Sequence, residues 1–534
     1  MHPSTEPTTT AVSPAVTAPA APAPEATRMP RQDVVVVALL LLSAFVVILN
    51  ETTMGVALPP IMDELGITPA VGQWLTTAFM LTMAVVIPAT GWVIQRLGTR
   101  RAYVLAMALF SAGTLVAAMS PGFPMLLAGR VVQASGTAIM LPLLMTTIMT
   151  VVPPRSRGRV MGNVAIVMSA APALGPTLSG AVLEVSGWRT IFLVVLPIAL
   201  VSLVLGAVFV RDTAERSSTR LDPWSLLLAA AAFGGLVYGL SSLGEAAQAT
   251  TVVPVWVPLA GGATALALFV WRQLALQRGD EALLDLRVFA ARDFTVALAI
   301  MAVSMVALFG SIILLPLYLQ DVLGMTPLAT GLLVLPGGLL MGLLGPTVGS
   351  LYDRVGPRPL VVPGTVAVTA SLAMLAMVDA QTSTWYVLGA HVVLSLGLAF
   401  VFTPLFTAAL SALSPHLYSH GSAAISTVQQ LAGAAGTALF VAVLTTTSLA
   451  LGEDGASPTT ALAGGVARAF AWGAAVLVVA VVAAFWLRRP APEEQDLTPE
   501  PAAAPDEHEP TSADDPDSVE NTDYGLPSGE RATR

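Results

Sequence analysis

The 534-residue sequence contains no cysteine, which excludes disulfides, thiolate catalysis and cysteine metal sites. It contains no lysine either, so every basic side chain is an arginine. No G-x-x-x-x-G-K-[ST] loop exists anywhere in the chain, which argues against an ATP-driven pump. Charge of any kind is scarce. Only 11% of residues are charged, where soluble proteins carry about 25%. With 55% hydrophobic residues and a mean hydropathy of +0.78, the body lacks the polar surface to dissolve in water. A water-soluble enzyme, a secreted domain and a nucleic-acid binder are excluded as its main part.

The net charge of −9 is unevenly placed. From Arg488 to the end there are thirteen acidic side chains and four arginines, so the tail alone accounts for it. The remainder balances twenty acids against twenty arginines. Residues 1–28 are a Pro/Ala/Thr mixture that buries too little to offset ordering, and the Pro-, Asp- and Glu-rich tail reads the same way. The N-terminal stretch does not resemble a signal peptide, because no cleavage site follows the first apolar run.

Between the tails lie fourteen apolar stretches, from 34–58 to 466–487, each near the ~20 residues that cross a bilayer. Pro88, Pro142, Pro172, Pro197, Pro336 and Pro404 interrupt them, as bundled membrane helices tolerate. An all-α membrane protein is expected. An even span count puts both termini on one side, and that side collects almost all of the loop arginines. The other side has only Arg189 and Arg468, so both termini are expected in the cytoplasm. The division expected is a tail at 1–33, six spans in 34–210, two extra spans with their linkers in 211–293, six spans in 294–487 and a tail at 488–534.

An internal repeat supports that division. The loop after span 2 reads Gly91-Trp-Val-Ile-Gln95-Arg96-Leu-Gly98-Thr-Arg100-Arg101, and the loop after span 10 reads Gly349-Ser-Leu-Tyr-Asp353-Arg354-Val-Gly356-Pro-Arg358. Glycines serve close helix approach and a tight turn, and the arginines can cap a neighbouring helix C-terminus or pair with a carboxylate. Parallel repeats of this sort build many secondary transporters, with a site between the halves near the midplane.

The doubled loop resembles the signature of the major facilitator superfamily, whose Asp is Gln95 in the first copy and is kept as Asp353 in the second. Leu49-Asn50-Glu51-Thr52-Thr53-Met54-Gly55-Val56-Ala57-Leu58-Pro59 resembles the L-D-x-T-x-x-N-V-A-L-P signature of fourteen-span drug:proton antiporters. Arg130-Val-Val-Gln133-Ala-Ser-Gly136 resembles R-x-x-Q-G-x-G, and Gly175-Pro176-Thr-Leu-Ser-Gly180 resembles G-P-x-x-G-G. Trp188-Arg189 and Phe192 also fit the family's loop into span 6. The likeness covers roughly residues 34–487 and points to the multidrug-efflux, lincomycin-resistance-like branch. It implies a major-facilitator fold of two six-helix halves plus two extra central helices. It also implies a monomeric, proton-coupled exporter of amphipathic drugs or antibiotics in the cell membrane, with small-molecule substrate and protons as its partners. In that family the doubled loop is a conformational latch, here Gly91, Arg96, Gly98, Arg100 and Arg101, then Gly349, Asp353, Arg354, Gly356 and Arg358. The Gly175, Pro176 and Gly180 segment would bend and seal a gate. No enzyme activity, metal, cofactor, nucleotide or nucleic acid is implied.

The intramembrane charges stand out without any family, since ionisable residues inside a span are costly and usually functional. Glu51 lies seven residues before Leu58, taken as the outer end of span 1, and Arg130 six residues after Pro124. At 1.5 Å per residue both sit roughly 10 Å below the outer surface, so a pair or a shared aqueous cavity is possible. Burial and a nearby arginine pull a carboxylate's proton affinity in opposite directions, which suits a group that loads and releases a proton. Glu51 is therefore the expected proton carrier and Arg130 the group that tunes it. Asn50, Met54, Gln133, Asn163, Tyr318, Gln320 and Gln429 are the candidate substrate-cavity residues. Gly433/Gly436 and Gly337/Gly338/Gly342 read as packing faces, His391 as interfacial, and His416 and His420 as solvated loop residues. Spans 7 and 8 hold few polar groups and are expected outside the transport core. An exporter dedicated to one metabolite or antibiotic is the alternative. A proton-pumping respiratory subunit is disfavoured, because it needs lysine and glutamate relays through several helices.

Overall fold

A computed structural model describes residues 29–212, 221–246 and 254–488, and both expected tails lie outside them apart from a few residues. Among the described residues there are fourteen helices long and apolar enough to cross a membrane, and no strand. They are α1 (Arg31–Leu65), α2 (Val71–Leu97), α3 (Thr99–Ala118), α4 (Phe123–Val151), α5 (Pro154–Val185), α6 (Arg189–Phe209) and α7 (Pro223–Ser242), followed by α8 (Trp256–Gly279), α9 (Arg292–Val322), α10 (Leu328–Val355), α11 (Arg358–Leu375), α12 (Thr384–Ser411), α13 (Pro415–Glu453) and α14 (Pro458–Ala484). The chain is a multi-pass membrane protein. Side chains such as Val204, Val208, Trp271 and Val479 stand more than half exposed on its outer faces, where lipid tails would meet them.

One boundary moves. The Pro59-Pro60 pair suggests that span 1 ends at Leu58, yet α1 continues through both prolines to Leu65 and stops at Gly66, whose φ of 61° is left-handed. Each proline removes one donor near the end of the helix, where the next turn still completes it.

Helices α1 to α6 pack on one another through α1 with α5 and α6, α3 with α4 and α6, and α2 with α4. Helices α9 to α14 repeat the pattern through α9 with α13 and α14, α11 with α12 and α14, and α10 with α12. Glycines let the inner helices meet backbone to backbone. A Cβ on Gly136 of α4 would lie 2.6 Å from the Phe110 nitrogen of α3, and one on Gly397 of α12 would lie 2.9 Å from the Val368 nitrogen of α11. The two bundles join along two seams, α5 against α10 and α2 against α13. Helices α7 and α8 pair with each other, and α7 lies against α2 and α13.

Candidate functional site

At the face of the bundle that carries the start of α1 and the end of α14, the two loop repeats have the same backbone. Gly98 and Gly356 have φ values of 78° and 81°, a region that favours glycine. Their side chains act differently. Asp353 accepts hydrogen bonds from the backbone amides of Gly158 (2.9 Å) and Arg159 (3.0 Å), placing its carboxylate on the positive N-terminus of α5. Gln95 instead donates to the carbonyl of His416 at 2.9 Å, bridging α2 to the start of α13. Arg100 donates from Nε and Nη2 to the Ala207 carbonyl at the end of α6, the helix-capping role its position suggests. Arg358 lies 5.7 Å from the Phe485 ring centroid, while Arg101 and Arg354 are exposed and Arg96 has a partner of its own.

Deeper in the bundle, α1 and α4 bring the intramembrane charges to one level. Arg130 is 1% exposed. Its guanidinium lies 4.0 Å above the Phe79 ring of α2, and Nη1 donates to Gln133 Oε1 at 2.6 Å and Asn50 Oδ1 at 3.5 Å. Gln133 in turn donates to Thr114 of α3 at 2.8 Å. Four helices thus fix one cation, and Arg130 Nε and Asn50 Nδ2 are left buried with no partner. Glu51 is beside this cluster and outside it. It is half-buried, its charge interacts with that of Arg130 through space, and no direct ion pair joins the two among the described residues.

The candidates for a substrate cavity divide. Asn50 and Gln133 are buried as partners of Arg130. Met54 is buried in an apolar cluster with Trp188 and Phe192. Tyr318 spends its hydroxyl on the Asp379 carbonyl at 2.6 Å, tying α9 to the loop before α12. Asn163, Gln320 and Gln429 remain partly exposed, and Gln429 Nε2 is buried with no partner. Gly175 meets Thr52 of α1, where a Cβ would lie 2.9 Å from the Thr52 Cβ, whereas Gly180 faces open space; the side chain of Pro176 lies outside the described residues. Gly337, Gly342, Gly433 and Gly436 are close helix contacts, and Gly338 is not.

Two histidines are not where the sequence suggested. His420 is 5% exposed rather than solvated, because α2 and the α8–α9 linker close over it. His391 lies inside α12 against Gly337 of α10, its Nε2 3.2 Å from the Val334 carbonyl, rather than at an interface. Phe79 and Thr114 were not foreseen, and nothing in their local sequence distinguishes them from ordinary core residues.

The sequence profile of the Major Facilitator Superfamily matches residues 40–437. The chain belongs to that superfamily. It is a membrane transporter and not an enzyme. It is 36% identical to the lincomycin resistance protein LmrB of Listeria monocytogenes, over 85% of this chain and 96% of that one. It is 35% identical to the multidrug resistance protein B homolog of Mycobacterium tuberculosis, over 74% of this chain and 73% of that one. The structure is similar to that of the human organic anion transporter MFSD10, with a TM-score of 0.59, 16% identity, and 85% and 99% of the two chains covered. At that identity the likeness speaks to the fold, which is the major-facilitator fold with two additional helices.

Proposed function

We propose that this transporter is a proton-coupled exporter of amphipathic drugs or antibiotics, working by alternating access between its two six-helix halves. The observation that carries the reading is the separation of Glu51 from Arg130. Arg130 is locked by Gln133, Asn50 and Phe79, while the carboxylate of Glu51, next to Asn50 in sequence, keeps partial exposure and no direct partner. A carboxylate near a fixed cation, reachable by water and free to move with α1, can take and give a proton as its surroundings change. The two seams are then the gates, and Asp353 and Gln95 hold them on the side that carries the arginines and both termini, which we place in the cytoplasm. Asn163, Gln320 and Gln429 are the cavity candidates that retain polar exposure.

The relatives named for lincomycin resistance favour a second reading, in which one antibiotic is the dedicated cargo. Uptake of lincomycin and of a cationic dye into inverted vesicles, with and without a proton gradient, separates the two. Gradient-driven uptake is expected to vanish with an uncoupler, and to collapse in Glu51→Gln at normal expression. Accumulation that ignores the uncoupler would overturn proton coupling.

A further inference from the structure

The two seams are related by more than the doubled loop. Helix α5 begins Pro154-Arg-Ser-Arg-Gly158-Arg159 and α13 begins Pro415-His-Leu-Tyr-Ser419-His420, each with a 3-10 turn before the regular helix. In the α5/α10 seam, Asp353 sits on the amides of Gly158 and Arg159. The matching amides in the α2/α13 seam belong to Ser419 and His420, and the matching side chain is the neutral Gln95, which bonds the His416 carbonyl instead. The second seam therefore lacks the carboxylate that closes the first.

Another segment occupies that place. The linker between α8 and α9 reaches His420, where the Asp285 amide donates to His420 Nδ1 at 3.4 Å. The same Nδ1 edge of the imidazole lies against Gly91, whose Cβ, if it had one, would be 2.8 Å from it. Gly91 is the first residue of the first loop repeat, so linker, histidine and latch meet at one imidazole edge. Asp285 and His420 are each only 5% exposed.

The linker is held there from both ends. Upstream, Gln273 of α8 is wholly buried, accepts the amides of Leu283 (2.8 Å) and Leu284 (3.2 Å), and donates to Ser225 of α7 at 2.7 Å. Downstream, the Asp285 carboxylate accepts from the Arg287 amide and is forked by the Arg287 guanidinium at 2.6 to 3.0 Å, fixing the 3-10 turn Leu286–Ala290. Arg287 also reaches Asp280 at 2.5 Å. An extended segment carrying buried amides does not lie on a seam by accident; each of these amides has found a built partner.

We infer that the α7–α8 hairpin delivers the α8–α9 linker as the third element of the α2/α13 gate, with Asp285 and His420 as positioning residues that hold the gate shut where Gln95 supplies no charge. The inference rests on the alternating-access reading and gives the two additional helices a task. Because α2 and α13 belong to different halves, the His420–Gly91 contact that the linker backs must break each time this seam opens.

The absence of cysteine makes the test direct. Arg211→Cys and Ser414→Cys put spin labels on exposed positions of the two halves at this face. Pulsed dipolar spectroscopy on the full chain in nanodiscs should give one short distance. Asp285→Ala removes the charge-assisted fork that fixes the linker turn and is expected to add a longer population, lowering the closed-to-open ratio about tenfold. His420→Ala should do the same, and the double variant no more than either alone, because Asp285→Ala acts by freeing the linker whose amide bonds His420. If Asp285→Ala does not fold, Arg287→Gln removes the fork from its solvent-facing side. A single unchanged distance in folded Asp285→Ala, or in folded Arg287→Gln, overturns the proposal. The same shift is expected in a Glu51→Gln background with no gradient, so failed proton coupling cannot imitate failure here.

Discussion

The α5/α10 seam closes by contact between backbones, and Gly349→Ala tests what that contact is worth. A Cβ at Gly349 would lie 2.6 Å from the carbonyl carbon of Gly158 and 3.1 Å from the Arg159 Cα. Carbon atoms pack best at about 3.5 to 4.0 Å, so the helices must separate by roughly 1 Å. Both obstacles are backbone, and no rotamer change can relieve them. Overpacking of this kind costs about 1–3 kcal/mol. Because the penalty exists only while the seam is closed, it falls on one side of the conformational equilibrium and lowers the closed-to-open ratio by about five- to 150-fold. Gly338, on the same helix, has nothing within 4 Å of its Cβ position, so Gly338→Ala is the matched control.

The readout is alkylation of a single introduced cysteine by a water-soluble maleimide. Ala165→Cys is suitable: it lies in this seam, half-buried, opposite Gly345. Gly349→Ala should accelerate its labelling at least fivefold, and Gly338→Ala should leave the rate unchanged. Equal rates in the two alanine variants, with both eluting as folded protein, would refute the argument that the glycine contact sets closure.

Other consequences follow from the polar clusters. Arg130→Lys keeps the charge, but an ammonium cannot cover the Phe79 ring while reaching Gln133 and Asn50; thermal unfolding should show a loss of about 1–3 kcal/mol and gradient-driven transport should fall with it. The Arg272 hydrogen bonds, at 2.6 and 2.8 Å, outweigh burial and hold the Asp222 carboxyl well below the usual carboxylate range. A carboxyl depressed on folding stabilises above its unfolded value, about 3.9, and loses that contribution as pH falls through its folded one. Amide protection in α7 and α8, relative to the intrinsic exchange rate at each pH, should therefore be high at pH 7, fall in strongly acidic buffer, and be low at both in Asp222→Ala.

The sequence displays what periodic hydrophobicity and charge can carry. Fourteen spans are legible because each is a run of apolar side chains. The loop repeat is legible because glycine and arginine recur at fixed spacing, and Gly98 and Gly356 do share one backbone conformation. The level of Glu51 with Arg130 was argued from an outer end at Leu58. Asn50 does meet Arg130, although α1 continues seven residues beyond that point. The rest depended on contacts between distant parts of the chain. Met54, Tyr318 and Gln133 look like cavity residues in one dimension, yet each meets a neighbour that closes around it: Trp188 and Phe192, the Asp379 carbonyl, and Arg130 with Thr114. His420 reads as a loop residue until a linker more than one hundred residues earlier in the chain covers it. Spacing along one helix cannot report which surface of another will meet it.

The shift of the acid from position 50 to position 51 has a physical sense in this arrangement. A carboxylate at 50 would take the place of Asn50 Oδ1, in direct contact with the Arg130 guanidinium. Such a buried pair is strongly held, and its charge is spent on the arginine. Asn50 keeps the hydrogen bond without the charge, so Arg130 stays anchored whatever the acid does. The next residue along α1 is turned by about 100°, which takes Glu51 off the cluster and leaves it partly accessible. Thr52, one residue further, bonds the Leu49 carbonyl and packs against Gly175 of α5. Glu51 therefore has the fixed cation behind it and, beside it, a helix contact tight enough to transmit a movement of α5. If an acid is to respond to the state of the gates, the anchoring and titrating roles have to fall on different residues, and the proposed coupling assigns them to Asn50 and Glu51.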